Sequence, residues 1–471
     1  MRRIRLPEPD RLPRWAAPAA LVALAAALRL PGLDYGLPFA LRSPDERSIV
    51  PRAWAMAHDV RLDPGWYDYP SLLFALVAPA QAPFAEPSYG AARLVAIAIG
   101  LLGVAAAWWL GRAAYGAAAG VVAGAACAVA TVHVAYSGVA VTDVLLTTLA
   151  TVSLALLVGG RLEWAAVAAG LAASAKYPGA LLVVPLALAG WRQWRRLAVA
   201  SALAAAAFAA TSPFVVLHAG EAWADLRRVQ RLAEDGWLGF EHDHPTPVAF
   251  ADRLWESLGP FALVGVAGAA LGLAALVLKQ HKVSSRRADL ALVAFGLVWF
   301  GHLLTLDAHF DRYVLPLVPV LGALAGRVRP LVPLSLALLL VPLAWSARDA
   351  YELTKTDTRV VAHRWIADNV PAAALVASDP STPPLEQRTL ALDLPGPGFE
   401  PDPERDLARL RRKGVDYVLV TGAVTDRVLA AAARYPAETR FYRALETDAR
   451  RVFRVDPGGD LAGPWVALYR L

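Results

Sequence analysis

Through its first 346 residues the chain alternates long apolar windows with short polar turns, and beyond that point the alternation stops. Windows suited to a hydrocarbon core of about 30 Å fall at roughly 15–30, 93–110, 118–136, 140–158, 163–175, 178–190, 197–217, 257–278, 290–306, 313–326 and 330–346. They predict a polytopic α-helical membrane protein with about 11 transmembrane helices. The windows 163–175 and 178–190 flank Lys176-Tyr177-Pro178 and are short for a crossing, so they predict a cavity opening outward at the lysine. The run from Ser71 to Phe84 is also short and is interrupted by Pro79 and Pro83. It is expected to lie on the outer face as a juxtamembrane helix.

The turns between windows carry the orientation. On one side fall Arg112, then Arg161, then Arg192, Arg195 and Arg196, then Lys279, Lys282, Arg286 and Arg287, then Arg327 and Arg329. The other side receives Asp45, Glu46, Asp143, Lys176, His218, Glu241 to His244 and Asp307 to Arg312. Basic turns mark the cytoplasmic side, which puts the N-terminus inside the cytoplasmic membrane and the acidic loops outside. Arg2, Arg3, Arg5, Arg11 and Arg14 precede the first window, which reads as an uncleaved helix rather than a removed signal.

From Trp345 onward the patterning is that of a soluble domain. Thr358 to Val370 predicts an amphipathic helix, while Ala374 to Ala377, Tyr417 to Val420, Phe441 to Leu445, Arg451 to Val455 and Trp465 to Tyr469 predict strands. The expected organisation is a transmembrane module over 1–346, with juxtamembrane helices in its first outer loop (31–92), followed by a small extracytoplasmic α/β domain over 347–471. Composition agrees: 57% of residues are hydrophobic, too many for an ordinary soluble chain. Residues 347–471 hold 18 basic and 18 acidic residues, so the net charge of +6 belongs to the membrane part and is no nucleic-acid signal. The single cysteine, Cys127, excludes an intrachain disulfide.

Several polar groups stand out on the outer side. In Ser43-Pro44-Asp45-Glu46-Arg47 two adjacent carboxylates would point about 100° apart on a helix. One can work on an acceptor as a general base while the other holds a cation or a backbone; a helix N-terminal cap fits the same spelling. Asp143 opens a span at Thr142-Asp143, where an acid is costly unless used or solvated, and capping is its plainer role. Lys176 and Arg312 are candidate cations for an anionic head group, against snorkelling for the lysine and neutralisation by Asp311 for the arginine. His242 and His244 could share one face as weak candidate metal ligands, although solvated loop residues are commoner. No phosphate-binding glycine loop, HExxH or GxSxG occurs.

In their order, these features resemble the GT-C superfamily of integral membrane glycosyltransferases, and most the protein O-mannosyltransferase and aminoarabinose transferase branch. The matching residues are Asp45-Glu46, Tyr69-Pro70-Ser71-Leu72, Arg93, Thr142-Asp143, Lys176-Tyr177, Arg312-Tyr313-Val314-Leu315-Pro316, and Asp357-Thr358-Arg359 through Pro371. Where that family often has Lys-Pro-Pro or His-Pro-Pro, this chain has Asp68-Tyr69-Pro70-Ser71. The resemblance implies inverting transfer of a sugar from a polyprenyl-phosphate donor to a hydroxyl acceptor on a protein, glycan or lipid. It implies Asp45 as base, with Glu46 and Asp143 positioning the acceptor or binding a divalent cation, whose use it leaves open. Lys176, Arg312 and Arg93 would face the donor phosphate, and Tyr69 and Tyr177 would position the acceptor. A transporter or lipid flippase would instead show inverted repeats and ionisable residues at the bilayer midplane. A non-catalytic scaffold would leave Lys176 and Asp143 without a role.

Overall fold

The computed structural model describes residues 15–59, 62–279 and 283–471. The N-terminal arginines Arg2, Arg3, Arg5, Arg11 and Arg14, and Lys282, lie outside the described residues.

A long connection bracketed by α1 (Ala16–Arg29) and α4 (Tyr89–Tyr115) contains α2 (Pro44–His58) and α3 (Leu72–Gln81). Ser43 caps α2 by accepting from the Asp45 N–H at 3.3 Å, and Pro44 and the two acids occupy the first turn, where the helix dipole favours them. The apolar α3 packs on α2 and α4. A bent pair follows, α5 (Ala117–Val129) and α6 (Thr131–Ser137), meeting at 60°. Next come α7 (Thr142–Val158), α8 (Leu162–Ala175), a 3-10 turn at Tyr177–Leu182, α9 (Val183–Gly190), α10 (Trp194–Thr211), α11 (Pro213–Leu217) and α12 (Ala219–Glu234). The helical part closes with α13 (Thr246–Leu258), α14 (Phe261–Leu278), α15 (Val283–Leu303), α16 (Leu317–Ala325), α17 (Val332–Leu338) and α18 (Leu340–Glu352).

Small residues let these helices approach closely, which matters where lipid and helix surface are equally apolar. A Cβ on Gly170 would sit 2.1 Å from the Ala204 carbonyl oxygen of α10, and one on Gly268 would sit 2.2 Å from that of Leu324 in α16. Outward, the same helices are apolar: α10 exposes Val199 and Leu203, and α14 exposes Leu263, Val266 and Val277. An apolar surface on this scale fits lipid contact.

Among the described residues, three helices are long and apolar enough to cross a membrane: Tyr89–Tyr115, Phe261–Leu278 and the Arg329–Glu352 stretch. The bent pair α5–α6 makes a fourth if counted as one span. The expected count of about 11 is therefore not what helix length gives. Several predicted windows fold as short apolar helices, such as Thr142–Val158, Leu162–Ala175 and Tyr177–Gly190. The break at Lys176 falls between two predicted windows, whereas breaks at Ser212 and around Pro316 divide what hydropathy alone runs together.

The C-terminal region forms a five-stranded sheet in the order β3-β2-β4-β7-β5. Its strands are β2 (Leu375–Ser378), β3 (Arg388–Ala391), β4 (Tyr417–Thr421), β5 (Arg450–Val455) and β7 (Val466–Arg470). The first three are parallel, and β7 runs antiparallel to β4 and β5. A separate parallel pair joins β1 (Thr356–Asp357) to β6 (Leu461–Ala462). One face is covered by α19 (Thr358–Asn369) through Ala362 and Ile366, the other by α20 (Leu407–Arg412), α21 (Gly422–Ala430) and α22 (Pro436–Asp448). The strand predicted at Phe441–Leu445 is instead part of α22. Phe441, Tyr442 and Leu445 are buried together, a spacing that one helical face satisfies and a strand does not.

Asp379 is buried where it follows β2, and Arg405 pairs with it at 2.8 Å while the Tyr442 hydroxyl donates to it at 2.7 Å. Arg405→Met would strand that carboxylate. The expected loss is about 3–5 kcal/mol of stability in this region, read as a lower thermal unfolding midpoint.

Candidate active site

Adjacent positions on α2 send Asp45 and Glu46 to different places. The Asp45 side chain retains 20% exposure and lines a cavity of about 930 Å³ between the helical part and the C-terminal region. Glu46 turns inward and is fully buried with Arg93. Its Oε1 accepts from Arg93 Nε at 3.0 Å and from the Ala140 backbone N–H at 3.1 Å, and its Oε2 accepts from Arg93 Nη2 at 2.9 Å. Arg93 Nη1 donates to the carbonyls of Leu33 and Tyr35. Arg93 and Glu46 therefore do not line the cavity, contrary to the donor-phosphate and acceptor roles that the resemblance implied for them. Each satisfies the other's charge and fixes backbone.

Asp143 stands in the first turn of α7, three residues after the Ala140 amide that Glu46 holds. It is 3% exposed, and its Oδ1 accepts from Lys176 Nζ at 2.7 Å. Lys176 is extended where α8 breaks into the 3-10 turn, and its ammonium lies 5.6 Å and 5.1 Å from the ring centroids of Tyr69 and Tyr313. Such rings favour a cation over their faces. Arg312 comes from the 3-10 turn Asp311–Val314. Its Nη2 is 3.9 Å from Asp45 Oδ2 and its Nε is 4.0 Å from Asp143 Oδ2. Neither Asp143 Oδ2 nor Arg312 Nε makes a hydrogen bond, although both are buried. Burial disfavours the guanidinium charge, but Asp45 and Asp143 outweigh that and hold Arg312 well above its ordinary pKa.

The Tyr69 hydroxyl donates to Asp45 Oδ2 at 3.4 Å. Burial, and then the charge of Asp45, push this phenol well above its usual value, so it stays a donor. The structure thus brings Asp45, Asp143, Lys176, Arg312 and Tyr69 together. Tyr177 lies apart, donating to the Tyr67 carbonyl at 2.8 Å beside Val215 and Ala222.

The paired histidines do not converge. His242 Nε2 contacts the Ala430 carbonyl at 3.1 Å and His244 Nδ1 contacts Asp252 at 2.8 Å, both on exposed surface. The segment is a turn, closed by Asp243 N–H to Phe240 O, not the extended stretch that would put both rings on one side. Among the described residues no three His, Cys, Asp or Glu side chains are placed to hold a metal ion. One contributor escaped the sequence reading. Tyr136 donates to Asp311 Oδ1 at 2.7 Å, and the same oxygen accepts the Arg312 backbone N–H at 2.8 Å. A tyrosine ending an apolar window reads as an interface anchor, and nothing in its spacing points to a residue 175 positions away.

This fold is that of the GT-C superfamily of integral membrane glycosyltransferases, shared with solved structures at low sequence identity. ArnT from Cupriavidus metallidurans in the apo state is 15% identical, with a TM-score of 0.59 over 96% of this chain and 97% of that one. The same protein bound to undecaprenyl phosphate is 16% identical, with a TM-score of 0.59 over 97% and 98%. The Archaeoglobus fulgidus oligosaccharyltransferase in complex with Zn and sulfate is 14% identical, with a TM-score of 0.58 over 90% of this chain and 71% of that one. Residues 67–306 match Glycosyltransferase family 87, and the chain belongs to that family. No curated protein matches the sequence. The chain is therefore a membrane glycosyltransferase, which sets aside the transporter and scaffold readings.

The Glu46–Arg93 pair makes a stability prediction. Glu46→Gln leaves a buried guanidinium without its counter-charge. The thermal unfolding midpoint in detergent is expected to fall, by a loss on the order of 3–5 kcal/mol. A variant as stable as the parent would show that the pair is not structural.

Proposed function

We propose that this glycosyltransferase moves a sugar from a polyprenyl-phosphate donor to a hydroxyl acceptor, with inversion, on the outer face of the cytoplasmic membrane. The observation that carries the reading is the meeting of one cavity-facing carboxylate, Asp45, with two cations, Lys176 and Arg312, beside a second acid. The undecaprenyl phosphate complex of ArnT supports the donor class. The arrangement of basic turns supports an N-terminus inside and a C-terminal domain outside, with the short helices completing about 11 passes.

In the proposed reaction Asp45 takes the proton of the acceptor hydroxyl as that oxygen attacks the anomeric carbon. The bond from that carbon to the lipid phosphate breaks on the opposite side, which inverts configuration. The departing phosphate keeps the electron pair and needs no acid, but it needs fixed positive charge. Preorganised cations of this kind are a large catalytic contribution. Lys176 and Arg312 supply them, and Asp143 holds both in place until the phosphate arrives. Arg312 lies within 4.0 Å of both Asp45 and Asp143, so a cation already stands where a divalent ion shared by those acids would go. No step is assigned to a metal.

The test is transfer by the purified protein from polyprenyl-phosphate sugars. Asp45→Asn is expected to lower the rate by about 10²–10⁴ while binding of undecaprenyl phosphate persists. Lys176→Ala is expected to weaken that binding. Full activity in Asp45→Asn would remove the base.

A further inference from the structure

Arg29, at the C-terminal end of α1, is 2% exposed, and every hydrogen-bond partner of its side chain is neutral. A charge this deep is costly and marks a place to ask what it does. Its Nη1 donates to the carbonyls of Ala25 at 2.9 Å and Ala128 at 3.0 Å. Its Nη2 donates to the Cys127 carbonyl at 3.1 Å and meets His133 Nδ1 at 2.8 Å. Arginine has no acceptor, so Nδ1 accepts.

These partners sit at the 60° break between α5 and α6. A helix end leaves its last carbonyls without intrahelical partners. Here Arg29 takes those of Cys127 and Ala128, and the Ser346 hydroxyl takes that of Val129 at 2.8 Å. The fork also grips His133, one turn before Tyr136 on the same helix. Tyr136 donates to Asp311, and Asp311 holds the Arg312 backbone N–H. Three residues thus lead from a membrane-buried charge to the guanidinium that faces Asp45 and Asp143.

We propose that Arg29 is a positioning residue of the active site, which sets the angle of α6 and, through Tyr136 and Asp311, the place of Arg312. The role requires a fork, because one amino group spans α1 and α5 while the other spans α5 and α6. Lysine cannot do both. This inference rests on the proposed function only in taking Arg312 as a phosphate-facing cation.

The test compares the full-length parent with Arg29→Lys, Tyr136→Phe and the double variant, in detergent. Hydrogen exchange across residues 307–316 is expected to rise in Arg29→Lys and in Tyr136→Phe, with β4 and β7 unchanged. Each single change is expected to weaken undecaprenyl phosphate binding by about threefold to tenfold, and the double variant no further than either, because both act through one path. Multiplicative losses, or unchanged exchange across 307–316 in Arg29→Lys, would overturn the proposal. If Arg29→Lys does not fold, His133→Leu keeps the carbonyl caps and decides by the same exchange measurement. A parent that fails to bind undecaprenyl phosphate, or binds equally well after Lys176→Ala, would sink the functional reading. The exchange measurement would still judge Arg29.

Discussion

The buried pair of Glu46 and Arg93 is the constraint on which the geometry of the site depends. Removing two charges from water is expensive, and such a pair stabilises only where the remaining donors and acceptors are also matched. That condition is met here. The guanidinium fork meets the carboxylate with two parallel bonds, and its remaining amino group serves the Leu33 and Tyr35 carbonyls just after α1. The carboxylate has capacity left for the Ala140 amide. One interaction thereby joins the turn at residues 33–35, helices α2 and α4, and the entry to α7. Asp45 is the residue before Glu46, and Asp143 follows Ala140 by three positions. The spacing between Asp45 and Asp143 is thus set by a pair that does not line the cavity.

The cavity side is arranged on a different principle. Its ion pairs are loose where the inner one is tight. Arg312 approaches Asp45 and Asp143 at 3.9 Å and 4.0 Å, too far for hydrogen bonds. Arg312 Nε and Asp143 Oδ2, held slightly apart with neither hydrogen-bonded, leave room for a group that can bond to both. A phosphate or a sugar hydroxyl would find its partners oriented in advance, so little reorganisation remains for the reaction itself. Lys176 is the exception, at 2.7 Å from Asp143. On the proposed reaction a phosphate must draw it away from that acid.

Much of this was legible in the chain, for a physical reason. Burying a charge in or beside a bilayer is costly enough that its position along the hydropathy pattern is informative. Asp143, Lys176 and Arg312 stand at ends of apolar windows and Asp45 in the first loop, all assigned to one side by the basic turns, so expected sidedness alone grouped them. Depth was not legible. Nothing in Asp45-Glu46 says which carboxylate turns inward, because that depends on where Arg93 arrives from another helix. The histidine pair failed for a related reason, since alternation predicts a shared face only if the backbone is extended. Hydropathy also ran windows across breaks at Ser212 and Pro316, where apolar residues continue although the helix does not. In the C-terminal region Phe441 to Leu445 was rich in strand formers, and a helical face won because it packs three of those side chains at once.

The breaks explain another feature of the chain, its buried arginines. A helix interrupted in an apolar setting leaves carbonyls that water cannot reach, and each is expensive if unmet. Arg29 meets two at the end of α5, Arg93 meets two just after α1, and Arg42 takes those of Gly32, Ala135 and Gly138. Burial first, and then the neighbouring charge of Arg93, lower the Arg42 pKa to about 10, against the opposing charge of Glu46. A guanidinium at that value is still charged near neutrality, so it keeps all its donors. A lysine so placed would shed its proton more readily and offers a single point of contact. Broken helices make the cavity possible, and arginines make the broken helices tolerable. The two features therefore belong together: Arg29 and Arg93 act away from the cavity, and Arg42 acts at its wall.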